Sequence, residues 1–270
     1  MAKKPETTTA LAKYDDRLAA LAKKAVTTEA HVGGGSFIGT RGGQFTYNGG
    51  VIPDGRMNVI VLDHLGENSF YAGERYDPNN PTSPVCFSFF TADDEAAPHE
   101  KAEDPQCETC TGCPQNEWGS SDTGSGKACK NIRRLAIIME DGMEDIENAT
   151  IAFLKVPVTS VKEWAGYVNK LNSTMGLPPV AVITEMSIVP DAKTQFKIKF
   201  KLVEKIEDDA VIGALLDKVD ACQNDLAHPY TPNAERTAPV QQNRKVTQNR
   251  ATANRVAQPG AAKASPKLRR

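Results

Sequence analysis

The sequence predicts a mainly β protein: a small barrel decorated with helices, carrying an inserted metal-binding knuckle and a disordered basic C-terminal tail. Three observations carry this expectation. Short apolar stretches alternate with glycine and proline along much of the chain. Four of the six cysteines fall within the 23 residues Cys107–Cys129, and the final forty residues hold nine basic side chains against one acid.

Each element has a local reason. Leu11, Tyr14, Leu18, Leu21 and Ala25 recur at helical spacing, so residues 1–30 are expected to hold an amphipathic N-terminal helix. The body, residues 31–230, opens with GGGSFIGTRGGQFTYNGGVIPDG, where Gly-Gly and Asn-Gly-Gly suit tight turns between antiparallel strands. MNVIVLDHLGENSFY, PVCFSFF, RRLAIIME and IAFLKVP read as strands, with the cysteine knuckle inserted at residues 99–131. SVKEWAGYVNKLNSTMG reads as a helix with Ser160 as N-cap, Glu163 at the third helical position and Gly176 near its end. VAVITEMSIV and TQFKIKFKLVEKI form a strand pair around Pro190–Ala192, and DDAVIGALLDKVDACQNDL a last helix. Many short strands with few helices favour a small barrel.

Charge is distributed unevenly. Residues 231–270 carry a net +8, which leaves −10 on the rest of a chain whose total is −2. That segment has no aromatic residue and cannot bury enough apolar surface to offset its ordering entropy, so it is expected to be disordered. The start, MAKKPETTT, is followed by no apolar run, so no secretory leader is expected, and no stretch approaches a membrane span. Clustered rather than paired cysteines point to a reducing compartment, the cytoplasm, and to a metal site.

The cluster is the most specific signal. Cys107, Cys110 and Cys113 are each separated by two residues, and Cys129 closes a long loop. The x2 spacing lets a tight turn aim two thiolates at one ion, and soft sulfur selects zinc, with an iron–sulfur cluster as the alternative. His99 stands as a reserve ligand, whereas Cys86 and Cys222 read as isolated. Four protein ligands leave no open coordination position, so the metal's role is expected to be structural.

Around the knuckle, Lys127, Lys130, Arg133 and Arg134 would face a phosphate chain, and Trp118 could stack on a base. On TQFKIKFKLVEK, Phe196, Ile198, Phe200 and Leu202 alternate with Lys197, Lys199 and Lys201. Those lysines suit either a nucleic-acid backbone or the protection of an edge strand. Among the aromatic residues, tyrosines such as Tyr47 and Tyr71 are the better stacking candidates, since a polar edge tolerates water. There is no phosphate-cradling loop and no nucleophile–histidine pattern; Asp63 and Glu67 leave a metal-dependent nuclease as a minor alternative.

The series ENSFYAGERYDPNNPTSPVCFSFF, PHE, C-x2-C-x2-CPQNEWGS and GSGKACKNIRRLAII resembles a set of tailed-bacteriophage proteins regarded as single-stranded-DNA-binding or related replication factors. The resemblance covers roughly residues 50–204, and CPQNEWGS and GKACKN are its specific blocks. It implies an OB-like barrel with an inserted zinc knuckle and a non-enzymatic protein that coats single-stranded DNA during phage replication or recombination in the infected cell's cytoplasm. Phage replication or recombination proteins would be its partners, with no membrane role. Such proteins usually end in an acidic partner-recruiting tail, whereas this chain ends in KASPKLRR, which favours direct DNA contact by the tail. The competing expectation is a metal-knuckle protein that docks on a polymerase or replication complex.

Overall fold

The computed structural model describes residues 37–72, 82–92 and 95–231, together with Arg17, Ala20, Leu21 and Asn233. Of the expected N-terminal helix, Arg17, Ala20 and Leu21 are described and are helical. The rest of that helix, and the basic tail apart from Thr231 and Asn233, lie outside the described residues.

In chain order the strands are β1 (Phe37–Ile38), β2 (Thr46–Tyr47), β3 (Gly50–Val51), β4 (Arg56–Phe70), β5 (Cys86–Phe90), β6 (Lys130–Met139) and β7 (Ala152–Val156). Helix α1 (Val161–Met175), strands β8 (Val182–Asp191) and β9 (Gln195–Lys205), and helix α2 (Asp209–Leu226) complete the body. Strands β2 and β3 form a separate hairpin whose turn residues Asn48 (φ 49°) and Gly49 (φ 77°) both sit in the left-handed region. An Asn-Gly turn of that form matches the right-handed twist of its strands.

The other seven strands form one sheet in the order β1-β7-β6-β4-β8-β9, with β5 on β4. The β1–β7 pair is parallel and the others are antiparallel. Strand β4 is the spine. Along one edge it pairs with β6 from Val59 to Ser69; along the other it pairs with β8 at Arg56–Val59 and with β5 at Gly66–Phe70.

This sheet does not close into a barrel, which corrects the OB-like expectation: the path ends at β1 and β9, which do not pair. The reason is legible in β4 and β6. Val59, Ile60, Val61 and Leu62, like Leu135, Ala136, Ile137 and Ile138, are buried without a break, so both faces of the sheet are apolar. On one face Val59, Val61, Leu135 and Ile137 pack with Trp164, Tyr167 and Leu171 of α1. On the other, Ile60, Leu62, Ala136 and Ile138 pack with Leu215, Cys222 and Leu226 of α2. A small barrel would leave one face of each strand to solvent, whereas a doubly apolar sheet needs cover on both sides.

The helices begin and end largely where the sequence indicates. Asp208 caps α2, its carboxylate accepting from the N–H groups of Ala210 (2.8 Å) and Val211 (3.3 Å). Gly176 ends α1 in the left-handed conformation at φ 66°. Ser160 holds the N-cap position of α1 but makes no side-chain cap; its buried hydroxyl accepts from the N–H of Ile198, 2.9 Å away. Ser160 therefore fastens α1 to β9, and Glu163 pairs with Lys199 (2.7 Å) instead of completing a capping box.

Gly66 is required by packing. Phe90, opposite it on β5, lays its ring over the sheet so that a Cβ at position 66 would stand 2.3 Å from the ring's Cζ. Gly66→Ala should therefore destabilise the protein by about 1–3 kcal/mol. In a Phe90→Ala background the same change should cost far less, as read from urea unfolding midpoints. Equal costs in both backgrounds would show that the ring does not dictate the glycine.

Candidate metal and nucleic-acid site

The knuckle sits between β5 and β6 and packs on the face of the sheet that α1 covers further along. Strand alternation carries that face from Leu135 through Arg133 and Asn131 to Cys129 on the β6 side. The paired positions make rows across the sheet. Arg133, Gly66 and Phe90 stand level, then Asn131, Asn68 and Ser88, and Cys86 stands level with Phe70. The middle row is a polar ladder. Asn131 donates to Asn68 Oδ1 (2.6 Å), Asn68 donates to Ser88 Oγ (3.1 Å), and the Cys110 thiol reaches the same Ser88 oxygen at 3.4 Å. These residues bond the knuckle to the sheet and were missed in the sequence, although Ser88 interrupts the otherwise apolar CFSFF of β5.

The knuckle's own turns are tied by backbone bonds: Asn116 N–H to Cys113 O (2.8 Å), Cys129 N–H to Gln115 O (2.8 Å) and Gly119 N–H to Gly126 O (2.8 Å). Cys107, Cys110, Cys113 and Cys129 line one small cavity, and Cys86, read from the sequence as isolated, lines it with them. Its volume, about 10 Å³, matches a single small occupant. As the side chains stand, no three His, Cys, Asp or Glu residues among those described form a set arranged to hold a metal ion. The donor chemistry still fits a soft ion, since the cavity wall is rich in sulfur. Burial, then neighbouring thiols, pushes both Cys107 and Cys129 up to about 12, so these two are thiols at neutral pH unless a cation draws their protons off. His99 is not part of this wall; it stacks on Phe87 with ring centroids 5.0 Å apart.

Arg133 and Arg134, neighbours in sequence, point to opposite faces because they lie within β6. Arg133 is half-buried with its guanidinium 5.8 Å from the centre of the Phe90 ring. Arg134 is buried at 2% exposure and pairs with Glu67 at 2.8 Å. It also donates to the carbonyls of Leu226 (3.0 Å) and His228 (2.8 Å) and lies 4.4 Å from the Phe89 ring centre. Glu67 is fully buried and further satisfied by Lys155 (3.4 Å) and by the Tyr230 hydroxyl. Burial and the Glu67 carboxylate raise the Tyr230 phenol, and burial lowers the Lys155 ammonium. Arg134 is therefore a structural cation with no face for a phosphate, and Glu67 is no open metal ligand for a nuclease.

The remaining candidates divide into two groups. Trp118, 81% exposed, stands on the knuckle near Lys127, whose ammonium donates to Asn116 Oδ1 at 3.2 Å. Lys130 is exposed where β6 begins, and Tyr71 is 40% exposed just beyond the end of β4. Lys197, Lys199 and Lys201 lie on β9 near the opposite end of β4, level with Val189, Ser187 and Glu185 of β8. Ser187 is level with Arg56, and Lys130 with Ser69, so the two groups stand about 40 Å apart along the strand. Lys197 pairs with Asp191 (2.8 Å), drawing that carboxyl down to about 2, and Lys199 pairs with Glu163. Two of the β9 lysines are thus neutralised on an edge strand. Tyr47 lies against the α1-side core and lines a groove with Glu140 and Asp141, a setting that repels phosphate.

The body also extends past the expected tail boundary at 231. Ser83 donates its hydroxyl to Thr231 O (2.6 Å) and its N–H to Asn233 Oδ1 (2.7 Å), and Asn233 donates to Glu103.

Arg134→Gln should lower stability by about 3–5 kcal/mol, because it leaves Glu67 buried without its closest cation. Arg133→Gln should change stability by no more than about 0.5 kcal/mol. Chemical denaturation distinguishes the two, and equal effects would contradict the opposite-face assignment. No family model, curated protein or solved structure matches the chain.

Proposed function

We propose that this chain is a non-enzymatic single-stranded-DNA-binding protein of phage replication or recombination. One soft ion, zinc, held among the cavity's thiols would have a structural role. The observation that carries the reading is the knuckle end of the sheet. There an almost fully exposed Trp118, the cations Lys127 and Lys130, and the Arg133–Phe90 pair occupy one end of the body. A ring offered to solvent beside ammonium groups suits bases that stack and phosphates that pair, without sequence preference. On this reading Phe90 joins the stacking candidates and Tyr47 leaves them, while Arg134 leaves the phosphate-facing cations. An exposed tryptophan on a braced knuckle also suits a pocket on a replication protein, which is the second reading. Among the described residues no helix is long and apolar enough to cross a membrane.

Binding of fluorescent oligo(dT), titrated across salt, tests the reading. Affinity should fall steeply with salt, and Lys127→Glu, Lys130→Glu or Arg133→Glu should each flatten the slope by about one unit. Trp118→Ala should cost on the order of 1–3 kcal/mol with little change in slope. The control is a chain ending after Asn233, which removes most of the basic tail but keeps the contacts to Ser83 and Glu103. If that chain shows no binding at low salt, the body carries no groove and the docking reading leads.

A further inference from the structure

The cavity beneath the knuckle is lined by five cysteines, although a tetrahedral ion takes four. Cys86, Cys110 and Cys113 are the most buried, at 8%, 9% and 6% exposure, whereas Cys107 and Cys129 are half-buried. The backbone holds four of the five firmly. Cys86 is fixed in β5 opposite Phe70, and Cys129 directly precedes Lys130, which pairs with Ser69. These two cysteines therefore flank the end of β4 on the face that carries the knuckle, two strand spacings or roughly 10 Å apart. Cys110 and Cys113 cover them from the knuckle: Cys110 is anchored through its N–H to Ala96 O (2.7 Å) and its thiol to Ser88, and Cys113 accepts from Asn116. Cys107 lies instead in irregular chain between Gln106 and Cys110.

We propose that Cys86 is a metal ligand, and that Cys86, Cys110, Cys113 and Cys129 together take one zinc-class ion while Cys107 remains a free thiol at the rim. The inference rests on the reading of the knuckle as a metal site and changes its ligand set. Two ligands come from the strands beside β4 and two from a C-x2-C turn, so the ion pins the knuckle to the sheet instead of closing a self-contained loop. Binding takes the four side chains as thiolates, their protons passing to water. Pinned in this way, Trp118 and Lys127 keep a constant position relative to Arg133 and Phe90.

The test uses the full chain, reduced, with Co(II) and then Zn(II) as probes. Metal per chain and the sulfur-to-cobalt charge-transfer absorbance are measured for the wild type, Cys86→Ser and Cys107→Ser. The wild type should bind one ion; Cys86→Ser should bind at least tenfold more weakly with reduced charge-transfer intensity, and Cys107→Ser within about twofold of wild type. Retained binding in Cys86→Ser with loss in Cys107→Ser would overturn the assignment of Cys86. An absence of metal binding by the wild type would overturn the metal reading itself. Alkylation of the wild type mapped by mass spectrometry guards against misfolding of the variants. Zinc-loaded protein should be labelled at Cys107 and protected at Cys86 over prolonged exposure, with the slow labelling of buried Cys86 becoming at least tenfold faster once a chelator is added. Unchanged labelling of Cys86 on chelation would count against the proposal.

Discussion

The structure depends on the double burial of β4 and β6. Each carries a continuous apolar run, so the sheet they form is hydrophobic on both faces and has to be sandwiched. Helix α1 covers one face through Trp164, Tyr167 and Leu171, and α2 covers the other through Leu215, Cys222 and Leu226. Burying one such large apolar side chain is worth about 1.5–3 kcal/mol. The helices are therefore required cover for the sheet, and an open sheet between them is the arrangement that leaves neither face wet.

At fifteen residues, β4 outruns both helices, and its far end is covered by other means. On the α1 side the cover is the knuckle, joined through the Asn131–Asn68–Ser88–Cys110 ladder. On the α2 side it is the segment after α2, which brings Tyr230 over Glu67, Arg134 and Lys155. Both covers are polar, and their groups are satisfied: among the described residues no buried side-chain nitrogen or oxygen lacks a partner. A fully paired polar layer of this kind specifies one arrangement more sharply than an apolar layer would. Trp118, Lys127, Lys130 and Tyr71 collect at this end, where the chain is knuckle and loop rather than packed helix.

The charges illustrate how geometry sorts residues of one type. Arg133 and Arg134 are chemically identical and adjacent, yet one flanks an aromatic ring at the rim and the other neutralises a buried carboxylate. Lys197 and Lys199 alternate with core residues as expected, but Asp191 and Glu163 stand beside them. A list of cations taken from the chain overstates the surface open to a polyanion, because pairing and burial each remove members from it.

The sequence by itself determined the features that depend on near neighbours. The Asn48–Gly49 turn, the Asp208 cap, the Gly176 terminus and the inward Ile198, Phe200 and Leu202 of β9 follow from φ requirements and side-chain period within a few residues. The opposite fates of Arg133 and Arg134 were also within reach, since a strand beginning at Lys130 has to alternate. Tertiary structure alone decided that the sheet stays open, that the hydroxyl of Ser160 serves β9, and that Cys86 joins cysteines more than twenty residues away. Each of these turns on which strand lies beside which and at what register. Register is set by the burial of whole faces at once, and no local window of sequence contains that information.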